Sequence, residues 1–152
     1  MNQSIGWLWQ LVPKRLRRAG IWVTHPTFTV GALAVVLNDQ GKLLLMRHRL
    51  REEQGWEVPG GLIGRRERPE DTVRREVFEE TGYEVEVRSP GLVCVSRPQH
   101  MDVYYLARIQ GGTLRLNARE IMEARFFALH DLPAELPADQ RRFIEDLLKT
   151  YG

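Results

Sequence analysis

Three glutamates, Glu76, Glu79 and Glu80, fall three and four residues apart. On a helix that spacing puts all three on one face, within reach of one another. Like charges so placed destabilise a bare helix, and a bound cation would cancel the repulsion. Clustered carboxylate oxygens are hard ligands of the kind that magnesium or manganese takes. A glycine pair, Gly60-Gly61, and a further acid, Glu67, precede them. Glycine tolerates positive φ and close backbone approach, so this loop can bring a main-chain carbonyl to the same cation. The plainer reading is a solvated acidic face held by Arg74 and Arg75. The glycine loop and Glu67 weigh against it.

A helix over 69–81 must carry these acids. Pro69 suits a first helical position, Glu70 and Asp71 favour the helix dipole, and Gly82 suits a left-handed end. Arg68 is a poor N-cap. Val73 and Val77, on neighbouring faces, can anchor the helix to a core. Ahead of it, 28–37 and 42–47 read as strands joined by a turn at 38–41. A polar loop follows over 48–55, and Pro59-Gly60-Gly61 should break regular structure. Strands are expected at 83–88, 91–97, 102–108 and 124–128, with Gly111-Gly112 as another turn. A closing helix from about Asp139 shows an apolar stripe of Ile144, Leu147, Leu148 and Tyr151. The order implies a mixed sheet with helices on its faces.

Bulk properties narrow the class. At 152 residues, 43% hydrophobic and 28% charged, the chain reads as one ordinary globular domain. No apolar run is long enough for a membrane span, and residues 1–10 do not read as a signal peptide. A cytoplasmic protein is expected. The single cysteine, Cys94, cannot form an internal disulfide and reads as part of a buried strand. The net charge of +2 does not imply nucleic acid. The first 26 residues do stand apart, as a basic amphipathic extension to a domain over 27–152. Lys14, Arg15, Arg17 and Arg18 lie there without acids, and Ile5, Leu8, Leu11 and Val12 recur at helical spacing. Packing on the domain or on a second subunit is one reading of this extension. A membrane-surface or RNA contact is the other.

The stretch from Gly61 through Glu67 to Arg75, Glu76, Glu79, Glu80 and Gly82, with Val77 and Tyr83 at permissive positions, resembles the signature of the Nudix hydrolase family, of MutT-like kind. The resemblance extends from Phe28 onward. It implies an α/β/α sandwich around a mixed sheet, and hydrolysis of a pyrophosphate linkage in a nucleoside diphosphate derivative. It also implies roles. Glu76, Glu79, Glu80 and the Gly60 carbonyl would bind Mg2+, with Mn2+ as a substitute. Arg75 would hold the glutamates through salt bridges, and Glu67 would stabilise the loop-to-helix junction. Gly61 and Gly82 would be structural. Arg66 departs from the pattern, since many relatives have glycine there.

The general base is a separate question. A later-loop glutamate, Glu120, is the first candidate, with Glu123 behind it and Glu79 on the helix as the other kind of base; a surface-loop role for Glu120 is the alternative. Arg47, Glu57, His100 and Asp102 are the candidate substrate contacts, with solvated or packing roles as the alternatives. A nucleoside di- or triphosphate, oxidised forms included, ranks ahead of ADP-ribose or another nucleoside diphosphate sugar. A non-catalytic nucleotide sensor, an RNA-directed (cap) hydrolase and a homodimer remain open.

Overall fold

The computed structural model describes residues 13, 16, 25–49, 55–88 and 91–152. The charges Lys14, Arg15, Arg17 and Arg18, the apolar positions of the same basic extension, and the stretch 50–54 lie outside the described residues.

Strand β1 (Thr29–Leu37) alternates between two cores. Ala32, Ala34 and Val36 belong to one buried cluster, Val35 and Leu37 to the other. A strand that buries both faces must be covered on both. Helix α1 (Pro69–Thr81) closes the first cluster through Val73 and Val77. Helix α2 (Ala138–Tyr151) closes the second through Ile144 and Leu147. All four side chains are fully buried, and each such burial stabilises by about 1.5–3 kcal/mol before entropy is counted. The result is a three-layer sandwich, as expected.

The sheet is mixed. β2 (Leu43–His48), β3 (Gly60–Leu62), β4 (Tyr83–Val87), β5 (Leu92–Arg97), β6 (His100–Gly112) and β7 (Ile121–Phe127) complete it, in the order β4-β6-β1-β2-β7 with β5 on β6 and β3 on β1. β6 runs parallel to β1 over the whole length of β1, and the other pairings are antiparallel. β1 divides its other edge between two partners. β3 pairs with Gly31, Ala32 and Leu33, and β2 meets the far end at Leu37. The acidic helix delivers its carboxylates to this fork.

Helix α1 has the expected limits. Pro69 opens it, Arg68 gives no side-chain cap, and Gly82 closes it at φ 75 with its N–H donating to the Phe78 carbonyl at 2.8 Å.

Several expectations need correction. Gly60 and Gly61 belong to a strand, because a glycine lets β3 lie close on β1. A Cβ on Gly60 would sit 2.4 Å from the Ala32 carbonyl oxygen. Gly111 and Gly112 end β6 opposite Glu84 and Tyr83 instead of forming a turn, and the pairing with β4 carries the strand that far. β6 also starts earlier than 102, so His100 lies within the strand and not before it. β7 begins at Ile121, where its pairing with His48 starts. Cys94 is half-buried, because β5 is covered on one face alone, and Val93 and Val95 are exposed on the other. In α2, Tyr151 is exposed. Phe143 packs on the core there, stacked on Tyr104 at 5.1 Å. No helix among the described residues is long and apolar enough to cross a membrane.

Gly60 combines a close approach with a strained backbone angle, and Gly41 has only the second. Gly41 has φ 69 and nothing within 4 Å of where a methyl group would sit, whereas Gly60 has φ 151 and the β1 backbone against it. Gly41→Ala should cost about 1 kcal/mol, for the left-handed conformation alone. Gly60→Ala should cost several times more, because β1 must move and a side chain at φ 151 is strained besides. Urea unfolding of both variants checks this, and equal losses would count against the packing argument.

Candidate active site

The fork along β1, between β3 and β2, gathers the acids of α1. Glu80 is only 2% exposed, and its Oε2 accepts the Gly60 N–H at 3.2 Å. Glu76 lies against the next residue, where a Cβ on Gly61 would be 2.3 Å from Glu76 Oε1. The absence of a side chain on Gly61 is therefore what lets the Glu76 carboxylate lie where it does. Helix periodicity turns Glu76 and Glu80 towards β3, while Glu79 stays exposed.

Arg75 ties this set together. Its Nε and Nη2 donate to the two oxygens of Glu67 at 2.8 and 3.0 Å, a bidentate fork. Its Nη1 donates to Glu76 at 2.7 Å and to Glu79 at 3.3 Å. Glu67 also accepts the Gly64 N–H at 2.8 Å, which pins the loop to the helix. The Arg75 guanidinium, followed by that N–H, holds the Glu67 carboxyl far below its usual range, at about 2. The same contact raises the Arg75 pKa further. Arg66, the departure from the family pattern, itself takes the left-handed conformation at φ 64. The loop therefore keeps its path at a cost of about 1–2 kcal/mol.

His48 has no counterpart among the residues that the sequence singles out. Its Nε2 lies 3.5 Å from Glu57 Oε1 and 3.6 Å from Glu80 Oε1, joining two buried acids from separate parts of the chain. Glu57 reaches this point through its backbone bridge to Met46.

Glu120 is exposed on the turn before β7, and it forms no side-chain hydrogen bond or ion pair with a described residue. Its carbonyl accepts the Arg49 N–H at 2.7 Å. The preceding loop is tied to the end of α1, with the Arg115 N–H on the Thr81 carbonyl and the Asn117 N–H on that of Glu80. Glu123 pairs with Arg125. Arg47 stands over the Trp56 ring at 4.7 Å and 3.6 Å from Glu135, so it is not gathered with the α1 acids. His100 and Asp102 do line a cleft of about 640 Å³ together with Gly60 and Gly61. A second cleft of similar size runs along α1 beside Glu79, with Phe78, Arg115 and Arg119 in its walls.

The donor set fits a hard divalent cation. The acids around Gly60 and Gly61 are oxygen donors, Glu80 nearly buried and Glu76 half-buried, and Arg75 spreads one charge over Glu67, Glu76 and Glu79. Among the described residues no three such groups form a closed cage. Magnesium keeps several waters and does not need one.

The NUDIX domain family model matches residues 27–147. The chain belongs to the Nudix family. It is therefore a hydrolase of pyrophosphate bonds. It is 29% identical over 121 residues to the Bacillus subtilis (strain 168) protein named "Putative 8-oxo-dGTP diphosphatase", covering 78% of this chain and 79% of that one. It is 32% identical over 117 residues to the NAD-capped RNA hydrolase NudC of Vibrio atlanticus (strain LGP32), covering 75% of this chain but 44% of that protein. The crystal structure of a MutT NUDIX hydrolase from Burkholderia pseudomallei matches with a TM-score of 0.64 at 28% identity, over 77% of this chain and 95% of that one.

The Glu67–Arg75 fork predicts an acid-side signature. The carboxyl titrates at 4.5 when free and at about 2 when folded. Above 4.5 both states are ionised and the contribution is complete; as pH falls towards 2, the unfolded chain takes up the proton first and the contribution is lost. Melting temperature against pH, with a chelator present, should show wild type above Glu67→Gln at pH 6 and the two curves converging near pH 2. A gap that stays constant across that window would mean the fork contributes no charge term.

Proposed function

We propose that this Nudix hydrolase is magnesium-dependent and cleaves a nucleoside di- or triphosphate, oxidised forms included. The observation that carries the reading is the convergence of Glu76 and Glu80 on the Gly60-Gly61 backbone. Glu76, Glu79, Glu80 and the Gly60 carbonyl would hold Mg2+, for which Mn2+ could substitute. When bound, the ion would neutralise the bridging phosphates and lower the pKa of a water.

The protein's own part is alignment and proton transfer. Arg75 keeps Glu76 and Glu79 from splaying apart, and Glu67 keeps Arg75 in place. Glu120 accepts the proton of the attacking water, with Glu79 as the second candidate. The water oxygen bonds to phosphorus, the bridging P–O bond breaks, and two phosphate-bearing products separate. Glu120 suits the task because its loop is tied to the end of α1 while its side chain is uncommitted among the described residues. His100 and Asp102 form the wall of the cleft that takes the nucleoside, with Glu57 at the far side of the fork. Arg47 would have to leave Trp56 and Glu135 to reach a phosphate.

The substrate class is supported by the relation to the Bacillus subtilis protein, which aligns over most of both chains. A second reading, a dinucleotide or capped RNA end, is favoured by the relation to NudC and by the cleft with Phe78, Arg115 and Arg119 beside Glu79.

A product-resolved hydrolysis screen with magnesium tests these assignments. The panel holds nucleoside di- and triphosphates with their 8-oxo forms, ADP-ribose, dinucleoside polyphosphates and capped RNA. Turnover should vanish with a chelator and fall at least about 100-fold in Glu80→Gln. Full activity of that variant would rule out the metal assignment. In Glu120→Gln, kcat should fall by a similar factor while nucleotide binding persists. Near-normal kcat would remove Glu120 as the base.

A further inference from the structure

The cleft beside Gly60 and Gly61 has a floor that the hydrolytic chemistry leaves unused. Asp102 forms part of it, at 7% exposure. In the parallel register it stands opposite Gly31 of β1, and a Cβ on Gly31 would lie 2.5 Å from Asp102 Oδ1. The glycine makes room for the carboxylate. Burying a carboxylate is costly unless it is bonded. Here Oδ1 lies 3.0 Å from His100 Nε2, and His100 Nδ1 lies 2.6 Å from Thr29 Oγ1. An ionised carboxylate only accepts, so Nε2 is the nitrogen that donates to Asp102. Thr29 and His100 thus hold the carboxylate in one orientation. Among the described residues no lysine or arginine pairs with it.

Gln140, from α2, lines the same cleft. Its Oε1 accepts the Val58 N–H at 3.1 Å, which sets the amide orientation and leaves the NH2 group as the one to offer. The cleft therefore presents a fixed acceptor and a fixed donor.

We propose that Asp102 and Gln140 read the Watson–Crick edge of a guanine-type base, Asp102 accepting from N1–H and the 2-amino group and Gln140 donating to the O6 carbonyl. This rests on the nucleotide-hydrolase reading above. Guanine places two adjacent N–H donors beside a carbonyl, which matches a carboxylate beside an amide NH2. Adenine would set its N1 lone pair against Asp102, and uracil offers a single N–H between two carbonyls. Oxidation at C8 leaves the edge unchanged, so guanine and 8-oxoguanine nucleotides fit alike. Asp102 and Gln140 are specificity-determining residues, and His100 is a positioning residue.

The test compares dissociation constants of GDP, IDP and ADP, measured by calorimetry with chelator present, and kcat/KM of the corresponding triphosphates with magnesium. Wild type should bind GDP most tightly, IDP (which lacks the 2-amino group) less tightly, and ADP least. In Asp102→Asn the GDP-to-ADP preference should shrink about 10- to 100-fold, the effect of one or two charge-assisted hydrogen bonds. His100→Gln should recover part of the preference that His100→Ala loses, which a merely structural role would not produce. No guanine preference in wild type would overturn the proposal without any variant having to fold. So would an equal loss for all bases in Asp102→Asn. If no triphosphate turns over but binding still prefers guanine through Asp102, the hydrolase reading fails and this inference stands.

Discussion

The site depends on one close approach, that of the helix carboxylates to a backbone without Cβ atoms. Glu76 occupies the space that a side chain on Gly61 would need, and Glu80 bonds to the N–H of Gly60. The small residues Ala32 and Ala34 on the α1-facing side of β1 let the helix come that near. A side chain on Gly61 would displace the Glu76 carboxylate, whereas enlarging Ala32 or Ala34 would push the helix out and part Glu80 from its donor. Such an orphaned charge costs far more than the packing lost.

The approach has an electrostatic consequence. Arg75 spends its fork on Glu67 and shares its remaining nitrogen between Glu76 and Glu79. It fixes these carboxylates in position, while Glu80 and Glu57 meet His48 instead. A folded chain that holds this many acids close together is preorganised for positive charge. Preorganised charge is what phosphoryl transfer requires of a protein, because most of the barrier lies in alignment and neutralisation.

What was legible in the sequence follows the range of the forces involved. The limits of α1 could be read because Pro69 and Gly82 act within one helical turn, and the acids could be grouped because helix periodicity is local. β3 could not, since a Gly-Gly-Leu segment has no strand propensity and forms a strand solely through β1. The extent of β6 was likewise set by partners, with Gly111 and Gly112 held by β4. His48 and Gln140 were missed for the same reason. His48 meets its acids through the pairing of Met46 with Glu57, and Gln140 meets Val58 across 82 residues of chain.

Strand parity then decides how substrate and chemistry divide. Tyr104 and Leu106 face the α2 side of the sheet, and Asp102 shares their parity. The acids of α1 arrive from the opposite side. Gly60 and Gly61 belong to both regions, as wall of the cleft and as neighbours of Glu76 and Glu80. In the proposed binding mode, a nucleotide with its base on the α2 side crosses the fork between β3 and β2 to bring its phosphates to the acids. Shifting β6 by one residue against β1 would turn Asp102 under α1 and replace it on the cleft floor with an apolar neighbour, Met101 or Val103. In the proposed binding mode, the long parallel register of β1 and β6 sets the depth of the base, and the distance from that floor to the fork sets the place of the cleavable bond.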